Sequence, residues 1–238
     1  MRKIILVFSE TALELMPSEM LHHGIIIDEA RKRHKKPYEL LLDSNKHNLP
    51  MRALPNPEKR GRPDIIHFSL LTALDSFAAK KGLVQNVYVH TNSGKLLSFS
   101  TETRLPRVYN RFCGIMEQVL SGNSTDFIGI SEEKDFGKFF SEKIIKGQNA
   151  KDIFFFNEKG ADTKLLDFQK TISKSLAKND PSPIVFIFGA FPRGTFSEEI
   201  RYFLLSKDAK EFRFGNETVP VSSLVSLALR FYEAEAGL

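Results

Sequence analysis

Three short apolar runs in the C-terminal part of the chain alternate with segments of helical pattern. Residues 153–156 and 184–188 are continuously apolar, as expected for buried strands, and a third run covers residues 212–214. Helical periodicity separates these runs at residues 166–176 and 196–205. Strands that alternate with helices are typical of a parallel sheet, whose ligands bind beyond the carboxyl ends of the strands. The pattern predicts an α/β fold with its site at that edge.

The N-terminal half adds further elements. Residues 3–8 form an apolar run that predicts a buried opening strand, and residues 38–42 predict a second strand. Residues 44–49 are polar and are expected to form a loop. A core-facing helix is expected from Pro63 to about Lys80. The remaining expectations are a β-hairpin with strands at 87–90 and 96–99, a final helix over 222–235, and a polar stretch at 121–150 that could be an insertion.

Composition limits the classes of function. The 238 residues carry 34 Lys and Arg against 29 Asp and Glu, a net charge of +5 that permits nucleic acid or another anionic partner. We expect residues 1–238 to form a single domain. Cys113 is the single cysteine, which indicates a reducing, cytoplasmic setting and is interpreted as a small core residue. No apolar run reaches the ~18 residues that span a bilayer, and the N-terminus lacks a signal-peptide cleavage site.

Residues 101–120 combine a basic row with an amphipathic helix. Arg104, Arg107 and Arg111 recur at spacings of three and four, with the last two on one face, and Pro106 stands just before the helical pattern. Apolar residues at helical spacing define the core-facing side: Val108, Phe112, Ile115, Met116 and Val119. Each guanidinium offers a planar fork of donors that suits phosphate oxygens. From these residues alone, the row is either a phosphate-binding surface or an ordinary solvated helix face.

Other features leave two interpretations each. The basic run at residues 31–36 is a solvated helix end or a phosphate-facing patch. Asp64 either stabilises the first turn of its helix, or it orients an arginine or accepts a proton. Gly189 and Gly194 follow a buried strand and form a plain turn or allow the backbone to approach a ligand. The sequence contains no dinucleotide-binding, P-loop or zinc pattern, so no metal is expected, and its histidines are interpreted as ordinary polar or core residues.

Four segments, taken in order, carry a resemblance to a known family. They are residues 62–65 (RPDI), 103–114 (TRLPRVYNRFCG), 188–194 (FGAFPRG) and 220–223 (PVSS). Together they closely resemble the small-subunit ribosomal RNA pseudouridine N(1)-specific methyltransferases, which belong to the SPOUT class and have a trefoil α/β-knot. The resemblance runs from the opening strand to about Glu233. The arginine-rich segment is its most specific part.

The resemblance implies S-adenosylmethionine as methyl donor, small-subunit ribosomal RNA as partner, a homodimer, a role in small-subunit assembly and no membrane. The implied RNA-binding residues are Arg62, Arg104, Arg107 and Arg111, with Asp64 holding one of them. The implied donor pocket consists of Phe156, Asn157, Gly189, Gly194, Phe214, Gly215, Asn216, Glu217, Thr218, Val219, Pro220 and Val221. The 214–221 loop is about one residue longer than is usual in the family, and nothing is carried over to residues 121–150.

The expected mechanism follows from the chemistry of methylating a ring nitrogen. The nucleophile must be held in line with the methyl group, and positioning can lower such a barrier by about 7–11 kcal/mol. We expect the target base to be flipped out of its stack into a cleft beside the donor.

Asp64 is expected to pair with Arg104 or Arg107 and to orient it, because a carboxylate held by an arginine is a poor proton acceptor. A general-base role for Asp64 stays the alternative. Two other functions are compatible with the sequence. One is a non-catalytic RNA-binding assembly factor on the same fold, and the other is a SPOUT methyltransferase that acts on a tRNA nucleotide.

Overall fold

A mostly parallel sheet forms the centre of the molecule. The computed structural model describes residues 1–123, 125–131, 133–145 and 152–238. The strands in these residues are β1 Ile4–Thr11, β2 Val84–Thr91, β3 Leu96–Phe99, β4 Ile128–Ile130, β5 Ile153–Asp162, β6 Ile184–Gly189 and β7 Lys210–Arg213. Their order is β4-β3-β2-β1-β6-β5-β7. The five strands β2, β1, β6, β5 and β7 pair in parallel, each with the next. At one edge, β3 pairs antiparallel with β2, and β4 pairs antiparallel with β3. The predicted α/β fold is therefore confirmed.

Helices cover both faces of this sheet. In the described residues they are α1 Gly24–Lys32, α2 Ser44–Met51, α3 Pro63–Leu74, α4 Phe77–Lys80, α5 Tyr109–Leu120, α6 Phe136–Phe139, α7 Leu165–Leu176, α8 Glu198–Ser206 and α9 Val221–Glu235. The C-terminal helix α9 packs against α3 and α7. None of these helices is long and apolar enough to cross a membrane.

The opening strand β1 is buried on both sides. Ile4 and Phe8 belong to the core cluster that packs under α3, α5, α7 and α9. Ile5 and Val7 point to the opposite face and join a second cluster with Phe155 of β5. A central parallel strand needs apolar residues on both faces, which explains the continuous apolar run in its sequence.

The predicted strand at residues 38–42 is wrong. Pro37–Glu39 forms a 3-10 turn, and Leu41 makes only an isolated antiparallel bridge with Leu15. Pro37 stands at the start of this turn, where its fixed φ angle favours a turn over an extended strand. Apolar composition alone indicated burial here, and Leu41 is indeed 4% exposed.

The loop predicted at residues 44–49 is helix α2 instead. Asp43 caps this helix, because its side chain accepts a hydrogen bond from the backbone N–H of Asn45 at 2.9 Å. The helix contains Pro50 near its C-terminal end. An aspartate before a polar segment is a helix-start signal that the low hydrophobicity of the segment obscured.

The helix predicted from Pro63 to Lys80 is interrupted. It divides into α3 and α4, since Ser76 caps α4 by accepting a hydrogen bond from the backbone N–H of Ala79 at 3.1 Å. Apolar periodicity continues through the break, but a serine that bonds its own backbone competes with helix continuation. The hairpin of β2 and β3 and the final helix were predicted correctly.

The arginine-rich helix α5 begins later than the arginine row. Val108 is the N-cap residue and is 57% exposed, so it does not belong to the core as the periodicity predicted. Arg104 and Arg107 precede the helix, and only Arg111 lies within it. The expectation that Arg107 and Arg111 share one helix face is therefore wrong. Phe112, on the other side, is fully buried as predicted.

Part of the 121–150 segment contributes to the sheet and the core. Strand β4 pairs with β3, and α6 leads into one π-helical turn at Phe140–Ile144. Phe136 and Phe140 belong to the second core cluster. Residues 124, 132 and 146–150 of this segment lie outside the described residues. The assignment of a single domain with an insertion at 121–150 stays a prediction.

Candidate donor pocket and basic groove

A cavity of about 450 Å³ opens beyond the carboxyl ends of β5, β6 and β7. This volume suits a small organic ligand, and the position is the usual ligand site of a parallel sheet. The residues of the predicted donor set that line it are Phe156, Asn157, Gly189, Gly194, Phe214, Glu217, Thr218, Val219 and Val221. In the sheet, β5 lies between β6 and β7, so residues that are far apart in sequence meet at this cavity.

Three residues of the predicted donor set do not line the cavity. The backbone N–H of Gly215 donates to Asp162 Oδ1 at 2.8 Å, and Asn216 Oδ1 accepts a hydrogen bond from Arg213 Nη1 at 2.9 Å. Pro220 is the N-cap residue of α9. Gly215, Asn216 and Pro220 therefore shape the 214–221 loop without lining the cavity.

Several lining residues were missed by the sequence reasoning. They are Glu158, Phe191, Pro192, Arg193, Phe196, Phe212, Arg213 and Leu224. Phe191 and Arg193 lie between the two glycines of the 188–194 segment, so their position was a usable signal. Leu224 follows Val221 by three residues on α9, which places both on one helix face.

The two glycines of the 188–194 segment are required by geometry. Gly194 has a φ angle of +94°, a left-handed conformation that favours glycine. At Gly189 a Cβ atom would lie 2.7 Å from Cε1 of Phe191 and 2.8 Å from its Cζ. A side chain at Gly189 would displace the Phe191 ring, which lines the same cavity. The folded loop itself therefore favours glycine at both positions.

A chain of hydrogen bonds orients the polar wall of this cavity. Asn157 Nδ2 donates to Glu211 Oε1 at 2.5 Å. The Glu211 carboxylate also accepts two hydrogen bonds from Arg201, at 2.8 and 2.9 Å. Asn157 is 7% exposed, so its amide is held firmly at the edge of the pocket. The pairing of β5 with β7 shifts register between Phe156 and Ala161, which frees the backbone around Asn157 to turn toward the cavity.

A second concavity of about 840 Å³ runs between α5 and the segment after α1. Its lining residues are Arg33, Lys35, Arg104, Leu105, Pro106, Arg111, Gly114, Ile115 and Gln118. We call it the basic groove. Of the four predicted RNA-binding arginines it brings together Arg104 and Arg111. The other two, Arg62 and Arg107, do not line it.

The two basic residues on the far wall of the groove are anchored by one buried carboxylate. Glu117 is 1% exposed and accepts hydrogen bonds from Arg33 at 2.7 and 2.6 Å and from Lys35 at 2.5 Å. Burial opposes ionisation, but these bonds hold the pKa of Glu117 below its ordinary value. Glu117 therefore fixes the 31–36 run against α5. Within that run Arg31 is solvated, with its side chain 77% exposed.

Asp64 pairs with Arg62. The two side chains form a bidentate contact, Arg62 Nε to Oδ1 at 2.8 Å and Nη2 to Oδ2 at 2.7 Å. This hydrogen bonding raises the pKa of Arg62 against a smaller effect of burial. The expectation that Asp64 pairs with Arg104 or Arg107 is therefore wrong, although Asp64 does hold one arginine of the predicted set.

Arg107 has a different environment. Its Nη2 donates to Asp75 Oδ2 at 2.8 Å at the end of α3, and its side chain is 79% exposed. Pro106, which precedes Arg107, contacts a core histidine through its carbonyl oxygen. The Pro106 carbonyl lies 2.8 Å from Nε2 of the buried His67, whose ring stacks on Phe112. His67 is thus a core histidine, as the sequence indicated.

The N-terminal half of α5 carries two further polar groups. Tyr109 donates its hydroxyl hydrogen to Asp43 Oδ2 at 2.9 Å, which ties α5 to the cap of α2. Cys113 is partly buried against the core, and burial raises the pKa of its thiol. A thiol of this kind is a poor nucleophile. Among the described residues, no group of three or more His, Cys, Asp or Glu side chains could hold a metal ion.

Comparison with known proteins places the chain in one family. The sequence model of the EMG1/NEP1 methyltransferase family matches residues 6–233. The chain belongs to this family. The relatives include the ribosomal RNA small subunit methyltransferase Nep1 of Thermococcus onnurineus, 39% identical over 82% of this chain and 85% of that one. The Nep1 protein of Thermococcus kodakarensis is 33% identical over 98% and 99% of the two chains. The resemblance carried by the four segments is confirmed.

A solved structure of the same family supports the fold. The crystal structure of Archaeoglobus fulgidus Nep1 bound to S-adenosylhomocysteine is similar to this chain with a TM-score of 0.81 and 33% sequence identity. The likeness covers 100% of both chains. It confirms the SPOUT-type α/β fold, whereas the trefoil knot stays a prediction.

Proposed function

We propose that this EMG1/NEP1-family methyltransferase transfers a methyl group from S-adenosylmethionine to N1 of a pseudouridine in small-subunit ribosomal RNA. The observation that carries the proposal is the glycine-walled cavity beyond β5 and β6, in a chain whose relatives are named as ribosomal RNA small subunit methyltransferases. A structural neighbour from the same family binds S-adenosylhomocysteine, the product of that donor.

The residues of the cavity fit a methyl donor of this size. Gly194 and Gly189 let the backbone approach the ligand, and Phe156 and Phe214 offer apolar surface. Asn157 and the backbone of the 214–221 loop offer hydrogen-bonding groups. S-adenosylmethionine supplies an activated methyl group on a sulfonium. The task of these residues is to hold that methyl group in line with the nucleophile.

The basic groove fits the RNA strand. Arg104 and Arg111 lie on its near wall, and Glu117 neutralises only part of the charge of Arg33 and Lys35 opposite. The positive charges of Arg104 and Arg111 favour binding of a phosphate backbone. Gly114 leaves free space in the groove, because a Cβ atom built there meets no atom within 4 Å. We propose that RNA follows this groove, with Arg62 and Arg107 contacting it outside the groove.

Asp64 acts on RNA through Arg62. Both carboxylate oxygens of Asp64 bind this guanidinium, so the pair presents Arg62 in one orientation. Both oxygens of this carboxylate are engaged with the guanidinium, so the contact fixes Asp64 as the partner of Arg62. We therefore favour orientation over proton transfer as the role of Asp64.

The remaining expectations belong to this proposal as well. We propose a homodimer in the cytoplasm that takes part in small-subunit assembly, with a C-terminal trefoil knot. These follow from the resemblance of the four segments.

Mass spectrometry of ribosomal RNA tests the proposal. Small-subunit RNA from cells that lack this protein is incubated with S-adenosylmethionine and the protein, then digested to nucleosides and to fragments. We expect one additional methyl group, on one pseudouridine. RNA binding without methylation and without donor binding would instead identify an assembly factor, and methylation of tRNA alone would identify a different SPOUT substrate.

A further inference from the structure

A lysine outside the predicted site touches the wall of the donor cavity. Lys59 ends the 3-10 turn Pro57–Lys59, three residues before Arg62. Its ammonium group donates to the carbonyl oxygen of Thr195 and lies 4.7 Å from the centre of the Phe191 ring. Phe191 and Gly194 line the donor cavity, so Lys59 supports the loop at residues 189–197 from its outer side.

The methylene chain of Lys59 packs closely against Gly194, in addition to the contacts of its ammonium group. A Cβ atom built on Gly194 would lie 3.0 Å from Cε of Lys59. Gly194 is thus confined between the lysine stem on one side and the donor cavity on the other. A movement of Lys59 would change the shape of that cavity, because well-packed contacts transmit small displacements.

The backbone of Lys59 is fixed independently of its side chain. Its carbonyl oxygen accepts a hydrogen bond from Asn92 Nδ2 at 2.8 Å, in the turn between β2 and β3. Glu10, at the end of β1, lies 3.5 Å from the ammonium group. The same Glu10 carboxylate accepts hydrogen bonds from the backbone N–H of Ser197 at 3.1 and 3.0 Å. The Glu10 carboxylate therefore contacts both the Lys59 ammonium group and the end of the 189–197 loop.

A second connection joins the beginning of the same loop to Arg62. The backbone N–H of Ala12 donates to the carbonyl oxygen of Ala190 at 2.8 Å. The carbonyl oxygen of Ala12 accepts a hydrogen bond from the backbone N–H of Arg62 at 3.1 Å. The segment from Lys59 to Arg62 is thus tied to the donor loop at both of its ends.

We propose that Lys59 is a positioning residue that holds the donor loop, residues 189–197, against the segment that carries Arg62, and so couples donor binding to RNA binding. The inference rests on the proposed function, since it needs a donor in the cavity and RNA at Arg62. A ligand that orders either side orders the other through Lys59. Such coupling is reciprocal, so each ligand changes the affinity of the other by the same factor.

Calorimetry tests the coupling. S-adenosylhomocysteine is titrated into the protein alone and into its complex with an RNA hairpin that contains the pseudouridine mapped by mass spectrometry. In the wild-type protein we expect the hairpin to change the affinity for S-adenosylhomocysteine by about fivefold or more. Lys59→Met should weaken binding to the free protein about tenfold, because a charge-assisted hydrogen bond is lost, and should reduce the coupling factor to below about twofold.

Two variants serve as controls. Lys59→Arg keeps the charge and the donors and should restore the coupling. Lys207→Met removes a similar contact, since the Lys207 ammonium group lies 5.6 Å from the Phe203 ring away from the cavity, and should leave both affinities unchanged. In the wild-type protein, the hairpin alone should slow hydrogen exchange at the amides of Ala190 and Ser197.

Each other result overturns the inference. If Lys59→Met weakens donor binding equally with and without RNA, Lys59 is only part of the wall. Unchanged amide exchange in the wild-type protein, or an unchanged coupling factor in Lys59→Met, rules out the connection. Failure of the wild-type protein to bind S-adenosylhomocysteine or to methylate RNA would count against the proposed function instead, so the two failures are distinguishable.

Discussion

At the scale of single residues, the four predicted arginines have three different environments. Arg62 is fixed by a bidentate carboxylate, and Arg107 is mostly exposed with one carboxylate contact. Arg104 and Arg111 face an open groove. The spacing of the row indicated a common function, but spacing says nothing about partners on other elements. Asp64 lies only two residues from Arg62, and its bidentate contact sets the orientation of the Arg62 guanidinium.

Replacing Asp64 with Asn tests this orientation. We expect RNA affinity to fall about tenfold, because Arg62 loses the bidentate partner that orders it. The free energy of unfolding should change by less than about 1 kcal/mol, since the side chains of Arg62 and Asp64 are 39% and 25% exposed. Electrophoretic shift of the RNA hairpin and urea unfolding measure the two quantities.

Asp75→Asn is the matched control for this variant. It removes the carboxylate that contacts Arg107, but Arg107 makes a single exposed contact there, so we expect less than about a threefold change in RNA affinity. Normal donor and RNA affinities in Asp64→Asn, together with a collapsed single-turnover rate, would assign Asp64 to proton transfer and contradict the orienting role.

At the scale of elements, local patterns correctly predicted the strands and helices whose position depends mainly on burying apolar side chains. The continuous apolar runs became β5 and β6, and the periodicity of α5 placed Phe112 and Met116 in the core. The pattern was wrong where a cap or proline decided the outcome, as at Asp43 and Pro37. Composition averages over a segment, whereas a single capping side chain determines where a helix begins.

Contacts between distant segments were beyond any local pattern. The Glu117 carboxylate binds Arg33 across 84 residues, and Lys59 reaches Thr195 across 136. The alternation of strands and helices placed the site at the carboxyl ends of the strands, and the resemblance named nine of the residues that line the cavity there. Phe191, Pro192 and Arg193 lie between the two glycines of the 188–194 segment, so their position was a usable signal, but only the folded loop shows that all three line the cavity. Functional residues held by non-local partners require the structure.

Helix α5 also offers a test of the basic groove. Gly114 lines the groove, and a Cβ atom there meets nothing within 4 Å. Gly114→Gln should fold at least as stably as the wild type, since glycine in a helix interior costs about 0.5–1 kcal/mol relative to alanine. The new side chain would occupy the groove. We expect RNA affinity to fall about tenfold or more, with S-adenosylhomocysteine affinity unchanged.

Gly24→Gln provides the comparison for this variant. Gly24 is the first residue of α1, has equal free space, and does not line the groove. Fluorescence anisotropy of the labelled hairpin compares both variants with the wild type at one salt concentration. Unchanged RNA binding in Gly114→Gln would show that RNA does not pass through the groove.

At the scale of the whole molecule, buried polar contacts join the two ends of the chain. The Tyr232 hydroxyl donates to the carbonyl oxygen of Arg2 at 2.6 Å, and Arg2 pairs with the buried Asp152 at 2.6 Å. Glu233 accepts a hydrogen bond from the backbone N–H of Ala78 at 2.9 Å. The last helix is thereby fixed to α4 and to the segment that precedes β1, so loss of structure in one part should destabilise the other. Acid titration of buried groups is therefore expected to appear in global unfolding.

Two groups titrate in adjoining windows of acid pH. Burial lowers the pKa of His90 from 6.5 to about 4, so the folded protein resists the proton that the unfolded chain accepts below pH 6.5. The hydrogen bond from His47, followed by that from Lys46, lowers the pKa of Glu29 from 4.5 to about 2. Its ionised form is thus favoured in the folded state. In both cases the unfolded chain binds more protons, so stability must fall as pH falls.

We expect the free energy of unfolding to decrease by at most about 3 kcal/mol for each group, the first between pH 6.5 and 4 and the second between pH 4.5 and 2. Urea unfolding at closely spaced pH values measures the profile. His90→Gln should flatten the upper window and leave the lower one, because its effect ends once the folded imidazole is protonated. Glu29→Gln should do the reverse. If both variants keep the wild-type slope in their own windows, the acid sensitivity originates elsewhere in the core.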